Sequence, residues 1–245
     1  MYKIYYKKVF YCMRNNFKKI SLFLLLFVII ACIVIFIIYN YISRKKDSLY
    51  FKTSYESLNG QVRHSDGNTY NDISISENNP IKIISAKKAT KILKNGTGVI
   101  YFGANWCPWC RTIIPVLFNS ASINNINTIY YVDIDTLKSG FEIKDDILIR
   151  NEENISDNYV ELIKALDKIL GNKTNELKDE NGISYDTGEK AIHVPLVITV
   201  KNGIITSYHN GSVTLNSDQS KYDSLTEEQT QTLLNLYNKM FETLK

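Results

Sequence analysis

Residues 98–111, GVIYFGANWCPWCR, decide how this chain is read. Four apolar residues, Val99 to Phe102, run into the small Gly103 and Ala104 and then into Trp106-Cys107-Pro108-Trp109-Cys110. Thr112 to Ser120 continues as a helix-compatible run, so the stretch predicts a strand that delivers a CxxC pair to a helix N-terminus. Pro108 suits a first helical turn, because its missing N–H would find no partner there and its φ is already helical. Pro115 falls inside the same helix, where a proline introduces a kink.

That placement has a chemical consequence. A cysteine at the first turn faces unpaired backbone N–H groups and the positive end of the helix dipole, which favour the thiolate. The thiolate is the nucleophile of thiol–disulfide exchange, so Cys107 is the expected attacking sulfur. Cys110, one turn on, is expected deeper and placed to resolve a mixed disulfide. A merely structural disulfide explains the pair less well, because a two-residue loop closes little chain entropy.

With Trp106 before the first cysteine, Pro108 after it, Arg111 after the second and Pro115 along the helix, the chain resembles the thioredoxin-like superfamily. A downstream phrase, His193-Val194-Pro195 followed by Leu196 to Ile205, resembles that family's cis-proline loop and strand hairpin. The resemblance implies an α/β thioredoxin-like fold, a central mixed sheet flanked by helices. It also implies a cis Val194–Pro195 bond beside the CxxC, and a substrate face made by Trp106, Pro108, Trp109, Val194 and Pro195.

Outward from this centre, the family's order of elements is legible. Ile81 to Ile84 predicts a first strand, Ala86 to Lys94 a helix ended by Asn95-Gly96, and Asn127 to Asp135 a strand beside the central one. A helix is expected from Asn158 to Leu170, with Tyr159, Leu162, Ile163, Leu166, Ile169 and Leu170 on one face and Gly171 ending it. Lys201-Asn202-Gly203 is a hairpin turn signal. Ser224 and Glu227 predict a capping box for a last helix whose buried face is Leu233, Leu234, Tyr237, Met240, Phe241 and Leu244. Cys107 and Pro195 stand 88 positions apart, and the extra length falls in insertions around residues 136–157 and 172–190.

The N-terminal end is of another character. Residues 1–19 carry Lys3, Lys7, Lys8, Arg14, Lys18 and Lys19 with no acid, and Ile20 to Tyr39 then runs without a charge. About 20 apolar residues are what a helix needs to cross the hydrocarbon core, so residues 20–42 are expected as a transmembrane anchor. The basic excess before the span places residues 1–19 in the cytoplasm and the remainder outside the cell membrane. Ile29-Ile30-Ala31-Cys32 also resembles a lipobox, which would make Cys32 a lipidated N-terminus, but Ile33 to Tyr39 stays apolar and favours the uncleaved anchor. Residues 43–80 turn polar and are expected as a tether, leaving residues 81–245 as the thioredoxin-like domain. On this topology the exported part holds only Cys107 and Cys110, which keeps a reactive pair free of wrong partners.

A net charge of +4, with the basic residues gathered near the span, argues against a nucleic-acid binder. Only His64, His193 and His209 accompany the cysteines, a poor ligand set, so no metal and no cofactor beyond a Cys107–Cys110 disulfide are expected. His193, two residues before Pro195, is read either as a modulator that tunes Cys107 or binds substrate, or as an ordinary surface or hydrogen-bonding histidine. Arg111 is expected to be solvated. Tyr101 stands where the resemblance implies a buried acid that helps move the resolving thiol's proton. Trp109, in place of an imidazolium, argues against an extremely oxidising pair.

Within the superfamily, Tyr101-Phe102-Gly103, Tyr130 to Asp135 and Val194-Pro195 resemble the bacteriocin-transport accessory proteins. The expected activity is a membrane-tethered, extracytoplasmic thiol–disulfide oxidoreductase acting on protein or peptide thiols and disulfides, with an electron-transfer partner. The alternative is a non-enzymatic module that holds a peptide during export.

Overall fold

The computed structural model describes the backbone of residues 2–172 and 174–245 and the side chains from Phe23 onward, Lys173 apart. The expected basic cluster of residues 1–19, and Cys12, have their side chains outside the described residues.

The chain divides into two compact units, Met1–Lys46 and Asp47–Lys245. The described residues of the first are all helical, within α1 (Tyr2–Glu56). From Phe23 this helix is apolar and long enough to cross a bilayer, compatible with a single-pass anchor. Large apolar side chains stay exposed on it, with Phe23 75% and Tyr39 69% accessible, as on a surface that lipid rather than protein would cover.

The second unit is built on a five-stranded mixed sheet. In chain order its elements are β1 (Ile81–Ile83), α2 (Ala86–Asn95), β2 (Gly98–Gly103), α3 (Pro108–Ile123), β3 (Ile129–Asp133), the hairpin β4 (Ser139–Lys144) and β5 (Ile147–Ile155), and α4 (Tyr159–Leu166). A second hairpin, β6 (Thr174–Lys178) and β7 (Ser184–Lys190), precedes β8 (Leu196–Lys201), β9 (Ile204–Asn210) and α5 (Glu227–Glu242). The sheet order is β1-β3-β2-β8-β9, with β1, β3 and β2 parallel and β8 and β9 antiparallel. This is the thioredoxin-like arrangement, and the two hairpins occupy the two stretches of extra length.

β2 is the middle strand, and its alternation divides the core. Val99 and Tyr101 point to one face and join α3 and α5; Ile100 and Phe102 point to the other and join α2 and α4. All four are fully buried, as a strand covered on both faces requires. At the β8–β9 turn Asn202 (φ 53°) and Gly203 (φ 77°) are both left-handed, the two-residue hairpin that Asn-Gly favours.

Residues 47–80 correct the expectation of a tether. α1 carries on to Glu56, and Phe51, Tyr55, Tyr70, Ile73 and Ile75 are buried in the domain core. The polar residues that suggested a linker instead pair with backbone. Asn59 Nδ2 donates to the Ile73 carbonyl (2.9 Å) while its Oδ1 accepts from Ile73 N–H (3.1 Å), and Glu56 accepts from Ile75 N–H (2.7 Å). Asn79 Nδ2 donates to the Ser48 carbonyl at 2.9 Å. These amides and carboxylates do the work of a sheet ladder, so the segment is structured without a strand periodicity to betray it.

Two smaller expectations also shift. α4 ends at Leu166 rather than Leu170, although tight turns still bury Leu170. The last helix is capped by Thr226 with Gln229, not Ser224 with Glu227: Thr226 Oγ1 accepts from Gln229 N–H (3.2 Å), and Gln229 Oε1 accepts from Thr226 N–H (2.9 Å). Ser224 instead gives its carbonyl to Gln219 Nε2.

Candidate active site

β2 ends in Gly103, and the chain turns through Ala104 and Asn105 into α3. Cys107 is the N-cap of that helix, and its Sγ accepts from Cys110 N–H at 3.3 Å, with Pro108 in the first turn. Antiparallel pairing of β2 with β8 sets Phe102 opposite Leu196, which carries the preceding loop to the mouth of α3. The Val194–Pro195 bond there is cis. Cys107 Sγ lies 3.6 Å from the Val194 carbonyl oxygen, to which its S–H donates.

The two sulfurs, both free thiols, differ in environment. Cys107 keeps 4% of its surface exposed and Cys110 none. A hydrogen bond from the Cys110 thiol, assisted by the N–H groups of Cys110 and Trp109 and by the charge of Arg63, lowers the Cys107 pKa against the opposing effect of burial. Burial, then the bond and charge of Cys107, push the Cys110 thiol well up. Cys107 therefore ionises first and is the sulfur nearer to solvent.

Beneath Cys110 lies a set of tyrosines. Tyr101 and Tyr55 are fully buried with hydroxyls 3.2 Å apart, the Tyr131 ring packs 5.3 Å from that of Tyr101, and the Tyr131 hydroxyl donates to the Gly103 carbonyl at 3.2 Å. Burial raises the pKa of all three, so they are neutral hydrogen-bonding groups at ordinary pH. The groups that act most on Cys110 are Cys107, the Ala104 backbone and Tyr101, none of them a carboxylate.

The rim is built from both ends of the domain. The Trp106 indole N–H donates to both carboxylate oxygens of Asp135 (3.0 and 2.9 Å), in the turn that follows β3, and the ring lies 6.0 Å from the Arg63 guanidinium. Trp106 and Trp109 are half-buried, Pro108 and Pro195 are buried, and Val194 is half-buried at the same edge. His193 is exposed, and its carbonyl accepts from Asn210 Nδ2 at 2.6 Å.

Arg111 is not solvated. It is 1% exposed, and its guanidinium donates to the carbonyls of Tyr55 (2.6 Å) and Asn71 (2.7 and 3.3 Å) and to Asn59 Oδ1 (2.6 Å), 5.4 Å from the Tyr70 ring. A basic residue after a CxxC reads as surface because its partners are backbone groups some 40 to 56 positions earlier. Arg63 and Tyr55 were missed for the same reason, since both lie in the stretch read as a tether. Asp135 was within reach of sequence reasoning, as a carboxylate just past the neighbouring strand.

Among the described residues no group of three or more His, Cys, Asp or Glu side chains gathers as a metal site. No family model and no curated protein matches this chain. Among solved structures it is similar to thioredoxin O2 from Arabidopsis thaliana in the oxidized state, at 18% identity, covering 68% of this chain and 96% of that one with a TM-score of 0.33. The strand order itself gives the chain its thioredoxin-like fold, joined to an apolar N-terminal helix of membrane-spanning length.

Proposed function

We propose that this protein is a membrane-tethered thiol–disulfide oxidoreductase whose domain works outside the membrane on exported proteins or peptides. The observation that carries the reading is the asymmetry of the pair: Cys107 sits at the helix mouth with a lowered pKa, and Cys110 sits one turn behind it, sealed, with a raised one. In the reductive direction the Cys107 thiolate attacks a client disulfide, forms a mixed disulfide and expels one client thiolate, which takes up a proton. Cys110 then attacks Cys107 Sγ, and the proton it gives up passes to the second client sulfur as that sulfur departs. The client thus gains the two electrons that the Cys107–Cys110 pair gives up. The oxidative direction runs the same steps backwards.

A client chain in extended form would lie along the loop that ends at Pro195, between Val194 and the two indoles. The basic residues of positions 1–19 support a cytoplasmic N-terminus. Within this class we favour the bacteriocin-transport accessory type, on the phrases Tyr101-Phe102-Gly103 and Tyr130 to Asp135.

The test is trapping. The full chain with Cys110→Ser, expressed in a Gram-positive host, should accumulate mixed disulfides through Cys107, whereas Cys107→Ser should not. Equal trapping by both variants would overturn the nucleophile assignment, and the absence of disulfide exchange by the unaltered protein would overturn the activity. The 4% exposure of Cys107 keeps a second reading in play, a peptide-holding accessory module for export. Under that reading client binding persists when both cysteines are serine.

A further inference from the structure

Resting on the oxidoreductase reading, we infer that Arg63 is a positioning residue for Cys107, a fixed positive charge that the segment ahead of the sheet brings to the active-site rim. Residues 62–69 form a closed loop: Val62 bridges Thr69, Arg63 N–H donates to the Asn68 carbonyl, and Gly67 N–H donates to the Arg63 carbonyl, both at 2.8 Å. The loop hands the guanidinium to a clamp. Arg63 Nη1 donates to Asp66 Oδ2 (3.0 Å) and to the Tyr222 hydroxyl (3.4 Å), and Tyr222 itself donates to Asp66 Oδ2 (2.5 Å).

The clamp does not neutralise the arginine. Lys221 Nζ lies 3.3 Å from the same Asp66 oxygen, so two cations share one carboxylate and a net positive charge remains. From this anchored position the guanidinium stands 6.0 Å from the ring of Trp106, the residue before the nucleophile. The arginine side chain is 23% exposed, shielded enough for its charge to act through less than bulk water.

The other titratable groups around the pair are Cys110 on α3, Tyr101 on β2, Tyr55 on α1, Tyr131 on β3 and Tyr237 on α5, with Asp133 at the end of β3 and Asp135 in the turn after it. Asp135 is held by the Trp106 indole, and burial raises the Asp133 pKa. Tyr101 is neutral, and Cys110 is a donor to Cys107. Anchored beside Trp106, Arg63 adds its charge to the hydrogen bonds from Cys110 and Trp109, which lower the Cys107 pKa more strongly. A substrate thiolate leaving Cys107 would meet the same field, so Arg63 belongs to the site although it lies 44 positions before the cysteine in the chain.

The experiment is alkylation of the reduced full chain in detergent, from acid to alkaline pH, read by mass spectrometry on the peptide that contains Cys107, so that Cys12 and Cys32 do not interfere. Arg63→Ala should move the midpoint to higher pH and lower the rate at neutral pH by about threefold, the size expected of one partly shielded charge. Arg63→Lys, which keeps the charge, should restore most of the rate. Superimposed profiles for Arg63→Ala and the unaltered protein would overturn the inference. A shift that lysine does not rescue would overturn it as well, by assigning the effect to the loop's geometry. Alkylation needs no client, so the Arg63 result stands apart from disulfide exchange by the unaltered protein, whose failure would sink the activity alone.

Discussion

The guanidinium of Arg111 meets the carbonyl oxygen of Tyr55 at 2.6 Å, which ties the helix bearing both cysteines to the last turn of the helix that leads into the domain. The site therefore rests on residues from before the first strand as well as on the sheet.

Arg111→Met is expected to destabilise the domain by about 2 kcal/mol. It relieves the cost of a buried charge but leaves the Asn71 carbonyl without its donor. Arg111→Lys should not rescue, because an ammonium group cannot fork to Tyr55, Asn59 and Asn71 together. Urea unfolding of the full chain in detergent measures both, and a lysine variant as stable as the original would refute the account.

A fragment of residues 47–245 should fold, and one of residues 81–245 should not. The longer fragment keeps Phe51, Tyr55, Tyr70, Ile73 and Ile75, all buried. At about 1.5–3 kcal/mol each, losing them removes roughly 10 kcal/mol, comparable to the whole stability of an ordinary domain. Dispersed amide NMR signals from residues 81–245 alone would contradict this.

What could be read from the chain itself follows from where its signals are local. Val99 to Phe102, the cysteine spacing and the Asn202-Gly203 turn each announce their structure within a few residues, and the sheet and the redox pair follow from them. Arg63, Arg111 and the wrap of residues 47–80 do not. Their partners are carbonyls and amides far away in sequence, and residues such as Asn59 and Asn79 have the same composition whether they face water or replace a strand's hydrogen bonds. The cap of α5 failed for a smaller reason, since Ser224 and Thr226 offer the same chemistry two residues apart.

Alkaline pH should unfold the domain cooperatively. Burial raises the pKa of Tyr55, Tyr101, Tyr131 and Tyr237 above the ordinary value of 10.0. The folded form thus keeps protons that the unfolded chain releases. Their contribution is intact below pH 10.0 and is lost as the pH rises past it, by about 1.4 kcal/mol per unit for each tyrosine. Exposed tyrosines should ionise first, without change in circular dichroism. The buried ones should then ionise together with loss of helix signal, and a smooth titration of every tyrosine with the fold intact would count against this.

Gly103→Ala should cost about 2–3 kcal/mol, although this glycine has no left-handed φ to explain its presence. A methyl group there would collide with the Tyr101 ring and hydroxyl, which fold back over the end of β2. The ring has no room to retreat, because it is fully buried with Tyr55 and Tyr131 against it. Trimming the hydroxyl alone would not help, since the ring carbon Cε2 also lies within 2.9 Å of the added atom. In a Tyr101→Val background the collision disappears, and the same glycine substitution should cost less than about 1 kcal/mol, giving a coupling of more than about 1 kcal/mol between the two sites. Additive effects would mean that Gly103 is required for some other reason. Coupling would tie the small residue ahead of the cysteines to the aromatic side chain beneath Cys110.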